Sequence, residues 1–291
     1  MKIYNIGSLN IDYVYHVEHF VEAGETIASD NMEIFPGGKG LNQSVALARA
    51  GSKVVHGGII GKEGAFLADV LRESNVDISK LKTVDSPTGH AIIQVNPEGQ
   101  NCILLFAGAN HLITDEYVED ILSDAEEGDI IILQNEVNNL KSIMEYASDK
   151  GMKIAFNPSP FNDSISKLPL EKISWWFCNE IEAAGLFGDV GLEGICDRFI
   201  EKYPESNLIL TLGENGSLFI SKDLLVFEPI VKVETVDTTA AGDTFSGYFL
   251  SSVAFGKDPA TALKIATKAA SIAVSRKGAA VSIPHWNEVK I

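Results

Sequence analysis

The residues with the clearest capacity for chemistry lie in one stretch, Asp237-Thr238-Thr239-Ala240-Ala241-Gly242-Asp243-Thr244-Phe245. It separates a strand-like run rich in Val, Phe and Ile (residues 224–236) from a helical run over residues 244–255. Small residues at Ala240 to Gly242 let a turn come close to a ligand, and Gly242 tolerates dihedrals that a side chain would forbid. The first amides of the helix that follows lack partners within it, and the helix dipole adds partial positive charge there. Such an end holds a phosphate or a developing oxyanion. Asp243 stands at its mouth. A carboxylate base beside amides that neutralise a moving phosphoryl group is what phosphoryl transfer to an alcohol requires. The competing reading is a plain Asp/Thr helix cap, which is a common use of both residues.

A second candidate is Pro36-Gly37-Gly38-Lys39-Gly40-Leu41-Asn42, which opens a helix running to Gly51. It lacks the Gly-x-x-x-x-Gly-Lys-Ser/Thr spacing of a P-loop. Its glycines still permit close approach, with Lys39 and Asn42 as donors; the alternative is a plain turn with a solvated lysine. Gly7-Ser8-Leu9-Asn10-Ile11-Asp12 ends the first strand without the further glycines of a dinucleotide fold, which counts against a nicotinamide oxidoreductase. Glu136 follows a strand at its C-terminal end, where open α/β sheets place their ligands. His16 and His19 are three apart on an expected strand and so face opposite ways, against a metal pair.

These residues need a scaffold. Apolar runs at residues 2–7, 53–60, 129–133, 153–156, 174–178 and 208–212 read as buried strands. Helical patterns fall at residues 63–74, from Thr114 to about 123, at 139–149 and at 193–202. A further helix opens with Asp258 as cap and Pro259 at its first position, and ends near Ser275. This alternation signals an α/β protein with a largely parallel sheet covered on both faces. Residues 13–21 with 26–35 form one β-ribbon, and residues 91–95 with 102–106 form a hairpin around Asn96-Pro97-Glu98-Gly99. No internal repeat, low-complexity tract or interdomain linker is evident.

Composition narrows the partners. The chain has 291 residues, 45% hydrophobic and 22% charged, which suits a globular protein with a substantial core. A net charge of −17 repels nucleic acid and anionic membranes, so neither is an expected partner. Any nucleotide must therefore be held by local amides, a few cations and metal. The cysteines, Cys102, Cys178 and Cys196, show no metal-ligand spacing and suit a reduced, cytoplasmic protein. The first residues lack a signal-peptide layout, and no apolar run is long enough to span a bilayer.

With these pieces placed, the chain resembles the ribokinase (phosphofructokinase-B type) family of carbohydrate kinases from Lys2 to about Pro284. The resemblance rests on the Gly37–Asn42 and Asp237–Phe245 motifs at opposite ends, with Asn179-x-x-Glu182 between them. Gly7–Asp12, Ala107-Gly108-Ala109-Asn110 and Arg276-Lys277-Gly278-Ala279 are most similar to its ribokinase branch. It implies a three-layer sandwich, with a mostly parallel central sheet, helices on both faces and a small β-sheet lid. The large domain would comprise residues 1–11, 37–88 and 108–291, and the lid residues 12–36 and 89–107. The implied activity is ATP-dependent phosphorylation of the primary hydroxyl of a neutral pentose, D-ribose to ribose 5-phosphate. Fructose, deoxyribose or a nucleoside are alternative acceptors, and Tyr13, Tyr15 and Phe106 could supply a slot for a nucleoside base. A non-catalytic sugar sensor would be expected to have lost Asp243 or the glycine beside it, and both are present.

Roles transfer where residues match. Asp243 corresponds to the catalytic base, and Ala240, Ala241 and Gly242 to the anion hole. Asn10, Asp12, Gly38, Lys39, Asn42 and Glu136 correspond to positions that hold the sugar hydroxyls. Asn179 and Glu182 correspond to the motif that organises Mg²⁺ and the phosphates through water. Thr211, Gly213 and Gly216, with Gly242, correspond to the nucleotide site, and Thr267 falls where relatives contact adenine with variable residues. A monovalent cation, K⁺, would be held by Asp237, Thr239, Ala273, Arg276, Gly278 and Ser282.

Two checks are independent of the resemblance. Residues 3–38 and 83–140 contain no Lys or Arg, so an acceptor beneath the two ribbons is expected to be uncharged. Apolar residues on both faces of the hairpin, such as Leu104 and Leu105, would be wet on an isolated sheet, so a homodimer through the lid is expected.

Overall fold

The computed structural model describes residues 1–289. In chain order its elements are β1 (Ile3–Ile6), β2 (Asn10–His16), β3 (Asn31–Gly37), α1 (Lys39–Arg49), β4 (Val54–Gly61), α2 (Ala65–Glu73) and β5 (Leu81–Val84). There follow β6 (Gly89–Val95), β7 (Asn101–Phe106), α3 (Asp115–Ile121), β8 (Ile130–Gln134), α4 (Leu140–Asp149), β9 (Lys153–Asn157) and β10 (Ile173–Asn179). The chain continues through α5 (Glu180–Phe187), α6 (Gly191–Lys202), β11 (Asn207–Thr211), β12 (Ser217–Ile220) and β13 (Leu225–Glu228). It ends in α7 (Ala241–Ala254), α8 (Pro259–Val274) and α9 (Trp286–Val289).

The central sheet has nine strands in the order β13-β12-β11-β10-β9-β8-β1-β4-β5. It is parallel except for β12 and β13 at one edge. Strand alternation assigns its side chains to two cores. Ile130 and Ile132 of β8 pack with Leu41 of α1, Phe249 of α7 and Leu263 of α8. Ile131 and Leu133 turn the other way, toward Tyr117 of α3, Ile143 of α4 and Phe199 of α6. All four β8 residues are essentially inaccessible, and each is worth about 1.5–3 kcal/mol of burial. The result is the three-layer α/β sandwich, with both faces of the parallel sheet covered.

A separate four-stranded sheet is ordered β3-β2-β6-β7. β2 pairs antiparallel with β3 and parallel with β6, and β6 returns as the β6–β7 hairpin. The register puts Asp12, Phe35, Ala91 and Leu105 on one face, with Tyr13, Ile34 and Ile92 on the other.

Three departures from the sequence reading have physical causes. The β2–β3 ribbon begins earlier and is more widely spaced, because β2 stops at His16 and β3 starts at Asn31. The acidic segment between them folds on itself through His19 and Glu25 (2.8 Å). The expected strand over residues 224–236 ends at Glu228, since Pro229 has no N–H to continue the ladder. Its remaining Val and Ile residues line a cavity, and apolar content cannot distinguish a strand from a cavity wall. Helix α5 was absent from the pattern read above: a short helix with apolar residues all round gives little periodicity. Among the described residues, no helix is long and apolar enough to cross a membrane.

Candidate active site

Helix α7 starts at Ala241, preceded by Ala240 in the left-handed conformation (φ 60°, ψ 12°). The unusual dihedral therefore falls on Ala240 and not on Gly242, at a cost of about 1–2 kcal/mol for a residue with a Cβ. Gly242 serves differently: a Cβ added there meets nothing within 4 Å, so glycine leaves space open in front of the helix end. The Ala241 amide turns back to the Thr238 carbonyl (3.2 Å). The amides of Gly242 and Asp243 remain at the mouth, within the first turn where no intrahelical partner exists.

Asp243 does not cap this helix; α7 has no side-chain cap. Its Oδ2 accepts from Asn42 Nδ2 (3.0 Å) and its Oδ1 from Gln43 Nε2 (2.9 Å), both on α1. Helices α1 and α7 can lie this close because Gly247 faces Ala46, where an added Cβ would approach to 2.5 Å. Gly40 in turn lets the start of α1 sit on the Gly7–Ser8 backbone, where a Cβ would meet atoms at 2.4 Å.

Lys39 shares a cavity of about 240 Å³ with Asp243, Gly242, Asn179 and Glu182. Burial pulls its pKa down, but the carboxylates of Asp243, Glu136 and Glu182 outweigh this and the net shift is upward. Lys39 is thus kept as a cation. Glu136 accepts from the Lys39 amide (3.0 Å) and from the Ser8 hydroxyl. Burial pushes its carboxyl up, against the pull of Lys39 and these bonds. Asp12, on β2, is raised to about 7 by burial first and by the charge of Glu136 second. Asn10 Oδ1 accepts from Asn110 Nδ2 (2.7 Å), which leaves the Asn10 amide donors for other partners. Gly38 has φ 95°, and a Cβ there would press on Asn10 N at 2.9 Å, so the β3–α1 turn and β2 close on each other. The sequence-derived acceptor residues Asn10, Asp12, Gly38, Lys39, Asn42 and Glu136 are thus linked to Asp243 through contacts and mutual charge.

Asn179 and Glu182 form a reciprocal capping box on α5: Asn179 Oδ1 accepts from Glu182 N (2.8 Å) and Glu182 Oε2 from Asn179 N (2.9 Å). The motif therefore has a structural job, and Glu182 keeps only its Oε1 wholly unengaged by it. A larger cavity, about 840 Å³, adjoins the first and shares Asn179, Thr211, Thr238, Ala241 and Gly242 with it. It is also lined by Gly213, Gly216, Thr267 and the apolar Ile230, Val231 and Val233. Gly216 has φ 110°, and a Cβ would collide with the Glu228 carbonyl at 2.3 Å. Thr267 lies against Ser217 (3.4 Å between hydroxyls).

Beside the α7 turn, Asp237 accepts from the amides of Thr239 (2.8 Å) and Gly278 (2.9 Å). The Asp237 amide reaches back to Val274 O (3.1 Å) at the end of α8, where Arg276 N is bonded to Ala273 O (3.0 Å). Ser282 is buried in the same loop and donates to Ala279 O (2.8 Å). Asp237, Thr239, Gly278, Ala273 and Arg276 are thereby gathered; the bonds do not tie Ser282 directly to Asp237.

Sequence reasoning missed Gln43, Ser8, Gln134, Asn157, Ser159 and Ser246. Gln43 and Gln134 are fully buried, yet a lone glutamine in a helix or at a strand end ordinarily reads as solvent-facing. Asn157, Ser159 and Ser246 line the smaller cavity from a strand end, a loop and a helix without any motif spacing.

Residues 2–286 match the family described as pfkB family carbohydrate kinase. The ribokinase of Lactococcus lactis subsp. lactis is 32% identical over 295 residues, spanning 99% of this chain and 96% of that protein. The ribokinase of Thermotoga maritima superposes with a TM-score of 0.86 at 35% identity, covering 99% and 97% of the two chains. The Arabidopsis thaliana ribokinase complexed with ribose and ATP superposes with a TM-score of 0.89 at 27% identity, with the same coverage.

Proposed function

Because the chain belongs to the pfkB family of carbohydrate kinases, we propose that it transfers the γ-phosphoryl group of ATP to the primary hydroxyl of D-ribose, giving ribose 5-phosphate. It is an ATP-dependent sugar kinase. The observation that carries the assignment of roles is Asp243: a carboxylate held by two side-chain amides, at the start of α7, in one cavity with Lys39.

In this reading the ribose hydroxyls are met by Asn10, Asp12, Asn42 and Glu136, with Gly38 admitting the sugar. Asp243 accepts the hydroxyl proton as oxygen attacks the γ-phosphorus and ADP leaves. The amides of Gly242 and Asp243, with Lys39, take up the charge of the transferring group. ATP lies in the larger cavity, with phosphates toward Gly242 and base toward Thr267, Gly213 and Gly216. Mg²⁺ would be held through water by Glu182 and by the phosphates, since a site with few protein carboxylates suits that ion, and it would screen phosphate charge. Asp237 with neighbouring hydroxyl and carbonyl oxygens is an oxygen-only donor set, which fits a hard cation such as K⁺ rather than a soft metal.

Three observations favour a neutral sugar such as ribose over a sugar phosphate or a nucleoside. The small sheet carries no Lys or Arg of its own, and Lys277, which reaches it from the loop after α8, is already paired with Glu33 (3.2 Å). Lys39 is already surrounded by three carboxylates. Tyr13 and Phe106 pack through His90 (ring centroids 5.9 and 5.0 Å) on the face opposite Asp12, and the register puts Tyr15 there too. These rings therefore form no slot for a nucleoside base beside Asp12.

The reading treats residues 12–36 and 89–107 as a lid over the sugar, and residues 1–11, 37–88 and 108–291 as the catalytic body. Met32, Ile34, Ile92, Leu104 and Phe106 are exposed on the outer face of the lid, which supports its burial in a homodimer. The free thiols of Cys102, Cys178 and Cys196 accord with a cytoplasmic setting. The test is ADP release across ribose, deoxyribose, fructose, tagatose, adenosine and pseudouridine, with and without K⁺. Ribose should give the highest kcat/KM, and K⁺ should raise it. A clear preference for a sugar phosphate would sink the neutral-acceptor reading, and a monomeric mass at micromolar concentration would remove the lid interface.

A further inference from the structure

The carboxylate of Asp243 is the end of a buried chain of hydrogen bonds that crosses the molecule beneath the site. Gln43 donates to Asp243 Oδ1 (2.9 Å), and Gln43 Oε1 accepts from Gln134 Nε2 (2.7 Å). Gln134 Nε2 also donates to Asn5 Oδ1 (3.2 Å). Asn5 Nδ2 donates to the Gly40 carbonyl (2.8 Å) and to Ser44 Oγ (2.9 Å). Ser44 Oγ meets His56 Nδ1 (2.8 Å). Asn5, Gln43, Ser44, His56 and Gln134 are each fully inaccessible.

The direction of this chain is fixed by one group that has no choice. A backbone carbonyl only accepts, so Gly40 O holds the Asn5 amide with its nitrogen toward α1 and its oxygen toward Gln134. Gln134 must then present its nitrogen to Asn5 Oδ1, and the same nitrogen meets Gln43 Oε1. That leaves Gln43 only its N–H groups for Asp243. Reversing any one amide would set oxygen against oxygen. The orientation even leaves Gln134 Oε1 buried without a partner, which carries a penalty that a freely chosen arrangement would avoid. At the far end Ser44 Oγ accepts from Asn5 and is hydrogen-bonded to His56 Nδ1; burial holds that imidazole neutral, pushed down to about 3.

We propose that Gln43 is a positioning residue for the reaction: its amide, locked by Gln134 and Asn5, presents only N–H to Asp243 and so holds the carboxylate of the base aimed at the acceptor hydroxyl. A proton on Oδ1 would face a donor that cannot turn. The other groups around Asp243 are Asn42 and Lys39 from α1, Glu136 after β8, Glu182 on α5 and the Cys178 thiol of β10. Lys39 attracts the Asp243 side chain and Glu136 repels it, and the amide pair adds a geometric constraint to that mixed field.

This rests on Asp243 being the base, and the experiment separates the two claims. Gln43→Glu sets a second carboxyl against Oδ1. It should lower kcat at pH 7 by about tenfold or more, recover activity as the pH rises, and move the acid limb of the pH–kcat profile up by about one unit or more. Gln43→Met keeps the volume without the donor. It should lower kcat by about tenfold at every pH, with the KM for ATP within about twofold. In the unaltered protein, the Gln43 side-chain ¹⁵N resonance should shift with the same midpoint as that acid limb, a measurement independent of whether either variant folds. Folded variants with wild-type kcat and acid limb overturn the proposal, as does a Gln43 resonance that does not move through the limb. Asp243→Asn measured alongside distinguishes the failures. If it is inactive while both Gln43 variants behave as wild type, only the role of Gln43 falls. If it is active, the base assignment falls first.

Discussion

The two cavities that meet at Gly242 are built on opposite plans. Toward the proposed acceptor, Asn42 and Gln43 are buried and both donate to Asp243, and a single cation, Lys39, stands among three carboxylates. Toward the nucleotide, the larger cavity is walled by glycine turns at Gly213 and Gly216 and by apolar residues of the segment that follows β13. In the proposed reading the first region places reacting atoms through side chains, each specific, and the second would hold the nucleotide through backbone shape and apolar contact. Side-chain deletions should therefore be severe in the first and mild in the second, while backbone strain should matter most in the second.

The sharpest test of that contrast is Lys39→Met. It removes the cation among Asp243, Glu136 and Glu182 and a charge-neutralising donor for the phosphoryl group. Turnover should fall by about 10²- to 10³-fold in steady-state assays. A fall below about tenfold would show that the acceptor end tolerates loss of its charge balance. Next is Gly216→Ala, which forces a Cβ into the Glu228 carbonyl at a positive φ. It should destabilise by more than about 1 kcal/mol in thermal melts and raise the KM for ATP more than it lowers kcat. An unchanged KM for ATP would detach that turn from the nucleotide.

Asp12 gives a test of intermediate size. Its carboxyl is raised to about 7 from an ordinary 3.8, because burial and Glu136 disfavour its charge. The sign follows from linkage: the stabilisation is present at low pH and is lost as the pH rises through about 7. Sugar hydroxyls that donate to the ionised form should release a fraction of a proton on binding near pH 6–7, readable by calorimetry in buffers of different ionisation enthalpy. Binding with no proton exchange would place Asp12 away from the sugar. The smallest expected effect is Thr267→Ala, which should change the KM for ATP by less than about threefold and leave kcat unchanged, since one hydroxyl beside Ser217 contributes little to an apolar wall.

The two regions also differ in how far the sequence disclosed them. The parallel strands were legible because β8 and its neighbours carry near-continuous apolar runs, as strands of a doubly covered sheet do. The glycine-rich turn and the start of α7 were legible because the Gly37–Asn42 and Asp237–Phe245 motifs occur together in the order that the family resemblance requires; either alone also reads as a plain turn or cap. The polar chain behind Asp243 was not. Asn5, Gln43, Ser44, His56 and Gln134 come from four elements and meet only through sheet order, so no linear spacing records them. Nor could the sequence assign the left-handed turn residue. Glycine is the default there, yet Ala240 takes it, leaving Gly242 to clear space. Residues 230–236 illustrate a third limit: valine-rich segments look alike whether they pair in a sheet or wall a nucleotide cavity.

The central claim is that Asp243, held by α1 at the start of α7, takes the proton from the sugar. Rapid-quench measurement of phosphoryl transfer in a single turnover by Asp243→Asn, with ribose and ATP saturating, tests it most directly. The account predicts a chemical step slower by about 10²-fold or more, with the dissociation constants of both substrates within about threefold of the unaltered protein. A chemical step near the unaltered rate would contradict it.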